Sequence, residues 1–362
     1  MKALKIGELI ARLPIVQGGM GVGVSLSGLA SAVANQGGIG VISAAGLGVI
    51  YRKYSSDYNK ASIHGLREEL RKARAATKGI IGVNVMVAMS NFTDMVKTAI
   101  AEKADIIFSG AGLPLTLPAL RPQGCRTRLA PIVSSARAIK LLCHKWMSQY
   151  GVLPDAVVVE GPKAGGHLGY MQGQIADPEY SLDKIVEQVM EQVAEFESKY
   201  SATIPVIAGG GIYSGADIYD ILEKGASGVQ MGTRFVATTE CDAADSFKQA
   251  YVNAAQNDIE IIESPVGMPG RAIRNSFLDR VKAGLTRPKN CPFDCIKTCD
   301  AVHSPYCIML ALYNAFKGNL KNGYVFAGAN AWRIEKIQSV KSLITELCQE
   351  FEQYRQTKLC KR

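Results

Sequence analysis

The sequence is poor in aromatic side chains. Phe, Trp and Tyr make up 7% of 362 residues, with only 2 Trp, which argues against a stacking platform for single-stranded nucleic acid. It also has no stretch near the ~18 uninterrupted apolar residues of a membrane helix, and no apolar core of a signal peptide in residues 1–14. The expected compartment is therefore the cytoplasm, where nine cysteines read as free thiols or metal ligands rather than disulfides. Histidine is scarce at 4 residues, so each can be weighed singly. There is no internal repeat and no low-complexity tract. The net charge of +9 comes without a dense basic run, so a generally basic surface is expected rather than a nucleic-acid or membrane site.

Glycine, in contrast, is abundant at 36 residues and falls in short clusters, as in loops drawn close to a ligand. Eight short apolar runs recur: 14–17, 40–43, 82–86, 105–109, 130–134, 156–160, 205–208 and 228–231. Several, such as Ala156-Val157-Val158-Val159, are continuously apolar, the pattern of parallel strands buried on both faces. Helical segments lie between them, for example Leu26–Asn35 before Gly37-Gly38, and Ser214–Lys224 before Gly225.

This rhythm predicts an α/β fold, a (β/α)₈ TIM barrel with an inserted, mostly helical lid. The barrel is assigned to residues 1–235 and 328–362, and the lid, with its cysteine cluster, to 236–327. Ala331–Phe351 reads as one or two final helices, with 352–362 fraying. An open dinucleotide-binding sheet is the competitor. Gly18-Gly19-Met20-Gly21-Val22-Gly23 follows the first strand, but it is not a clean G-x-G-x-x-G, and no acidic residue closes the second strand.

In such a barrel, chemistry sits at the C-terminal ends of the strands and phosphate is held by the last two loops. Those loops are Ala208-Gly209-Gly210-Gly211-Ile212 and Gln230-Met231-Gly232-Thr233-Arg234, whose glycine amides can face an anion. Thr233 adds a hydroxyl and Arg234 a charge. A phosphate site is predicted there, most simply for FMN; a plain tight turn is the alternative. Asn84, at the end of the third strand, can hydrogen-bond a planar ring or cap the following helix. His167 lies on a Gly-rich loop after the sixth strand, Glu160 to Gly169, and suits a general base. His64 and His144 sit in polar helical contexts.

Taken in order, 14–21, 82–86, 160–169, 208–212 and 230–235 resemble the nitronate monooxygenase family, which includes the flavin-dependent type II enoyl-acyl-carrier-protein reductases. The similarity spans most of residues 10–240, and Gly328-Ala329-Asn330 resembles a flavin-proximal turn. It implies that Gly19, Met20, Asn84, Glu160, Gly165, Gly211, Gln230, Met231, Gly232 and Thr233, with Gly210 of the same loop, hold FMN. Glu160 stands where many relatives carry Gln. The resemblance puts His167 at the catalytic histidine, which would deprotonate a nitroalkane before nitronate oxidation. It leaves NAD(P)H as an electron donor in the reductase branch. The expected partner is a small-molecule or acyl-carrier-bound substrate, and assembly as a homodimer stays open.

One feature departs from that pattern. Cys291, Cys295, Cys299 and Cys307 lie within 17 residues. If helical, a spacing of four would put thiols on one face. An iron–sulfur cluster, a zinc site and free thiols compete, with iron–sulfur favoured because a flavin is a natural electron partner.

Overall fold

The computed structural model describes residues 1–288, 291 and 293–360. The chain opens with an antiparallel hairpin, β1 (Leu4–Ile6) and β2 (Leu9–Ala11). Six parallel strands follow: β3 (Ile15–Gln17), β4 (Ile39–Ser43), β5 (Ile80–Met86), β6 (Ile106–Gly110), β7 (Arg128–Val133) and β8 (Val157–Glu160). After the two-residue β9 (Gly166–His167) come β10 (Val206–Gly209) and β11 (Gly228–Met231), which pairs with β3 and closes an eight-stranded barrel. All eight predicted strands are present, and the predicted (β/α)₈ barrel is the fold.

The strands read as unbroken apolar runs because both of their faces are covered. Val158 points into the barrel with Val16, Val41, Phe108 and Ile207, and Leu4 and Ile6 of the hairpin belong to the same cluster. Val157 and Val159 instead join the larger core between strands and helices. Alternation is thus preserved in direction, although both directions lead to apolar surroundings.

The helices are α1 (Ser27–Asn35), α2 (Leu47–Ile50), α3 (Tyr58–Ala76), α4 (Phe92–Ala101), α5 (Ala136–Tyr150), α6 (Leu182–Tyr200) and α7 (Gly215–Glu223). The β6–β7 connection carries only a 3₁₀ turn, Leu117–Leu120. Helix α7 starts where its sequence signals it: Ser214 Oγ accepts from the Asp217 N–H while Asp217 accepts from the Ser214 N–H, a reciprocal cap.

After β11 come α8 (Thr233–Val236), α9 (Asp245–Val252), β12 (Ile259–Glu263), β13 (Pro269–Ile273), α10 (Ser276–Lys282), α11 (Ile308–Phe316), β14 (Val325–Phe326) and α12 (Val340–Leu359). Helix α12 packs against α7 and α1 and fills the eighth place in the helical ring. A Cβ on Gly215 would lie 2.3 Å from the Phe351 nitrogen, so this approach requires glycine. The expected fraying from 352 is overturned, because Tyr354 and Lys358 both engage Asp220 of α7 and hold the last turns. Lys361 and Arg362 fall outside the described residues.

The inserted segment holds more than its helices. Strands β12, β13 and β14 form an antiparallel sheet, and β13 also pairs with β9 of the barrel loop, opposing Gly270 to His167. The barrel and the insertion therefore share a sheet at the barrel mouth.

Candidate active site at the barrel mouth

A cavity of about 630 Å³ opens over the C-terminal ends of the barrel strands. Every residue predicted to hold FMN lines it, and so does His167. One rim is built of backbone. Gly210 and Gly211 adopt φ +99° and +94°, and a Cβ on Gly210 would stand 2.7 Å from the Gly161 carbonyl oxygen. Among the described residues, the N–H groups of Gly211, Gly232 and Thr233 donate to no protein acceptor. They supply the donors a phosphate requires. Gly328–Asn330 braces both loops: the Gly328 N–H donates to Thr233 Oγ1 at 3.0 Å, and Asn330 Nδ2 donates to the Gly211 carbonyl at 2.6 Å.

The expected charge from Arg234 is not at this rim. Its guanidinium is buried, paired with Glu346 at 2.7 Å and stacked over the Tyr213 ring. It ties α8 to α12, because a helix one turn long aims its second residue at whatever packs outside it.

Deeper in the cavity stand Asn84, Gln230 and Glu160. Asn84 is within β5, and Asn91 occupies the N-cap of α4, so the capping alternative for Asn84 falls away. A Cβ on Gly19 would lie 2.3 Å from the Asn84 Cβ, so the first Gly-rich loop lies directly over this amide. A Cβ on Gly165 would lie 2.6 Å from the Ala327 carbonyl carbon, and Met20 covers Gly232. Burial raises the Glu160 carboxyl to a pKa of about 7. The carbonyl of Glu160 accepts a hydrogen bond from the Tyr170 hydroxyl at 2.5 Å.

The neighbouring rim, after β8, is built of side chains from the barrel loop and from the insertion. His167 Nε2 lies 2.7 Å from Ser264 Oγ, and its ring meets Phe326 edge-on at 5.0 Å. Burial lowers the His167 pKa to about 4, so the ring is neutral near pH 7. Arg271, itself buried, donates through one guanidinium nitrogen to the carbonyls of Pro162 and Ala164, fixing the loop that carries His167. Sequence reasoning missed Ser264 and Arg271. The signal was a hairpin: Ile259–Glu263 and Pro269–Ile273 flank a turn at Gly267, φ +78°.

The cysteine loop forms another part of the wall. Residues 293–307 contain no helix, which corrects the expectation of thiols on one helical face; Pro292 lies outside the described residues. The four cysteines are free, with Cys291 exposed and Cys295 buried. Among the described residues, no three or more His, Cys, Asp or Glu side chains are grouped to hold a metal ion. Of the remaining histidines, His64 stacks on Tyr54, His144 meets Phe196 edge-on and His303 bonds Asp300.

A closed parallel barrel whose glycine loops and one histidine line a single mouth cavity is the architecture of a flavin-binding oxidoreductase barrel, and comparisons with known proteins place the chain in that class. The chain belongs to the nitronate monooxygenase family, whose sequence model matches residues 2–104 and 88–350. This is a family of flavin-dependent enzymes. The chain is 28% identical over 272 residues to the (3aS,4S,5R,7aS)-5-hydroxy-7a-methyl-1-oxo-octahydro-1H-indene-4-carboxyl-CoA dehydrogenase of Mycobacterium tuberculosis, covering 75% of this chain and 66% of that protein. The match thus spans just under two thirds of that relative. A probable nitronate monooxygenase of Staphylococcus aureus is 24% identical, covering 74% of this chain and 77% of its own. Among solved structures, FabK from Thermotoga maritima superposes with a TM-score of 0.73 at 26% identity, covering 97% of this chain and 96% of that one. Nitroalkane oxidase from Streptomyces ansochromogenes shares the fold, at 22% identity and TM-score 0.71.

Proposed function

We propose that the protein is an FMN-dependent oxidoreductase that oxidises alkyl nitronates, with His167 as the base that forms the nitronate from a neutral nitroalkane. The observation that carries this reading is the neutral imidazole of His167 facing the same cavity as the amide cradle. The residues present fit FMN: unpaired amides at Gly211, Gly232 and Thr233 for its phosphate, and Asn84 and Gln230 deeper in the cavity for its polar ring edge. FMN bound there supplies the electron acceptor.

The protein's own part is to hold and move a proton. With Nε2–H donating to Ser264 Oγ, the Nδ1 lone pair is left to take the proton from the carbon beside the nitro group. A protonated ring is disfavoured in this partly buried position, and the substrate anion formed beside it offsets that penalty. Phe326 packs edge-on against the ring and shields that side of it.

A second reading is reduction of an enoyl thioester using NAD(P)H. It is favoured by the 26% identity to FabK over nearly the whole of both chains, and by the CoA thioester named in the mycobacterial relative. Anaerobic mixing separates the two, with the visible flavin absorbance as the signal. Bleaching by propionate 3-nitronate, and none by NADH or NADPH, is the expected result. Rapid bleaching by a nicotinamide overturns the nitronate reading and leaves the reductase.

A further inference from the structure

The loop after β8 is pinned through three consecutive carbonyls. Arg271 donates to those of Pro162 and Ala164, and the Ala329 N–H donates to that of Lys163 at 3.0 Å. Its start is also locked to the glycine rim. The Gly161 N–H donates to the Gly209 carbonyl at 2.8 Å, and Gly210 leaves no room for a Cβ beside the Gly161 carbonyl.

A loop held this way aims its middle side chain. The stem of Lys163 runs across Gly211: a Cβ at Gly211 would stand 2.9 Å from the Lys163 Cβ, 3.5 Å from its Cγ and 3.1 Å from its Cδ. The missing side chain at Gly211 therefore does two things, allowing φ +94° and making room for a lysine. The Gly211 N–H is one of the three unpaired amides of the cradle. Lys163 is exposed and lines the cavity, and among the described residues its ammonium joins no ion pair or hydrogen bond. An ordinary surface lysine has this freedom too, but its stem is not laid along an anion cradle by a loop fixed at three carbonyls.

Charge decides between the two. A phosphate monoester carries about −1.5 to −2 near pH 7, whereas backbone amides offer only dipoles. Arg234 is occupied by Glu346 outside the rim. Among the described residues that line the cavity, Lys163 is the only lysine or arginine. On the FMN reading given above, we propose that Lys163 is the counter-cation of the cofactor phosphate held at the Gly211 amide, and that it selects FMN over the phosphate-free riboflavin.

The test strips the full chain of flavin and titrates it with FMN and with riboflavin at low and high salt, following the flavin fluorescence. Lys163→Gln, which keeps most of the stem, is expected to bind FMN on the order of 10-fold more weakly than wild type, and riboflavin equally well. Lys163→Arg should recover most of the FMN affinity. Added salt should weaken FMN binding more in wild type than in Lys163→Gln. Lys140→Gln, exposed on α5, controls for the lost net charge and should leave both affinities alone. An equal loss for FMN and riboflavin overturns the proposal, because the lysine would then only shape the loop. Where riboflavin binds too weakly to titrate, or Lys163→Gln fails to fold, the wild type and Lys163→Arg decide: FMN affinity that ignores salt in both removes the ion pair. Wild type that takes up no FMN overturns the proposed function together with this inference, whereas FMN binding untouched by Lys163→Gln overturns this inference alone.

Discussion

The two rims of the mouth cavity are made of different material. The rim after β10 and β11 is almost all backbone: glycines at positive φ, unpaired amides and one threonine hydroxyl. The rim beside it, after β8, is almost all side chain: His167, Ser264, Phe326 and the buried guanidinium of Arg271. Backbone donors grip whatever carries the right charge and shape, and tolerate change in everything except the glycines. On the proposed function the side-chain groups carry the proton transfer, and they depend on an inserted sheet to aim them. The comparison teaches that cofactor retention and turnover should fail separately.

The strongest way to break that comparison is His167→Ala. Turnover of neutral nitroalkane should fall by about 10²–10⁴-fold with flavin content unchanged, measured by steady-state rate and absorbance. Loss of flavin with activity would make His167 part of the grip instead. Next is Arg271→Met, which leaves the Pro162 and Ala164 carbonyls unpaired. Denaturant unfolding should show about 3 kcal/mol lost; an unchanged midpoint would mean the loop is held by something else. On the other rim, Gly210→Ala forces a side chain onto φ +99° and against the Gly161 carbonyl. Flavin affinity should weaken by on the order of 10- to 100-fold, while the rate of the fraction that retains flavin stays near wild type.

The smallest effect belongs to Glu160→Gln. A carboxyl raised from 4.5 to about 7 binds more protons in the folded state, so its contribution is full at low pH and is lost as pH rises from 4.5 through 7. His167, lowered from 6.5 to about 4, acts in the opposite sense: its contribution is present above 6.5 and lost as pH falls through 4. The two largely cancel over pH 4.5–6.5 in the wild type. In Glu160→Gln, measured with the flavin removed, only the histidine remains of the pair, so stability should rise with pH by on the order of 1 kcal/mol across that window. A variant curve that overlays the wild type would remove Glu160 from the account.

The backbone rim was legible because its physics is local. A run such as Gly209-Gly210-Gly211 after an apolar strand states its own conformation, and the eight strands announced themselves by apolar runs that need both faces covered. The side-chain rim was half legible. His167 stood out because histidine is rare and its neighbours are glycines, but its partner Ser264 is 97 residues away. No local rule links them; only the pairing of β9 with β13 does. Arg234 was misread for the same reason, since its partner Glu346 lies 112 residues on. The final helix was cut short because residues 352–358 are mostly polar, and the Asp220 contacts that hold them come from a distant helix.

His167 hangs on a strand two residues long whose hydrogen-bonding neighbour comes from the insertion and not from the barrel. Grafting a foreign insertion onto this scaffold would therefore re-aim His167 as well as reshape the pocket. Evolution of new substrates and of new reactivity in such a molecule would travel together, while the eight-stranded frame beneath stayed as it was.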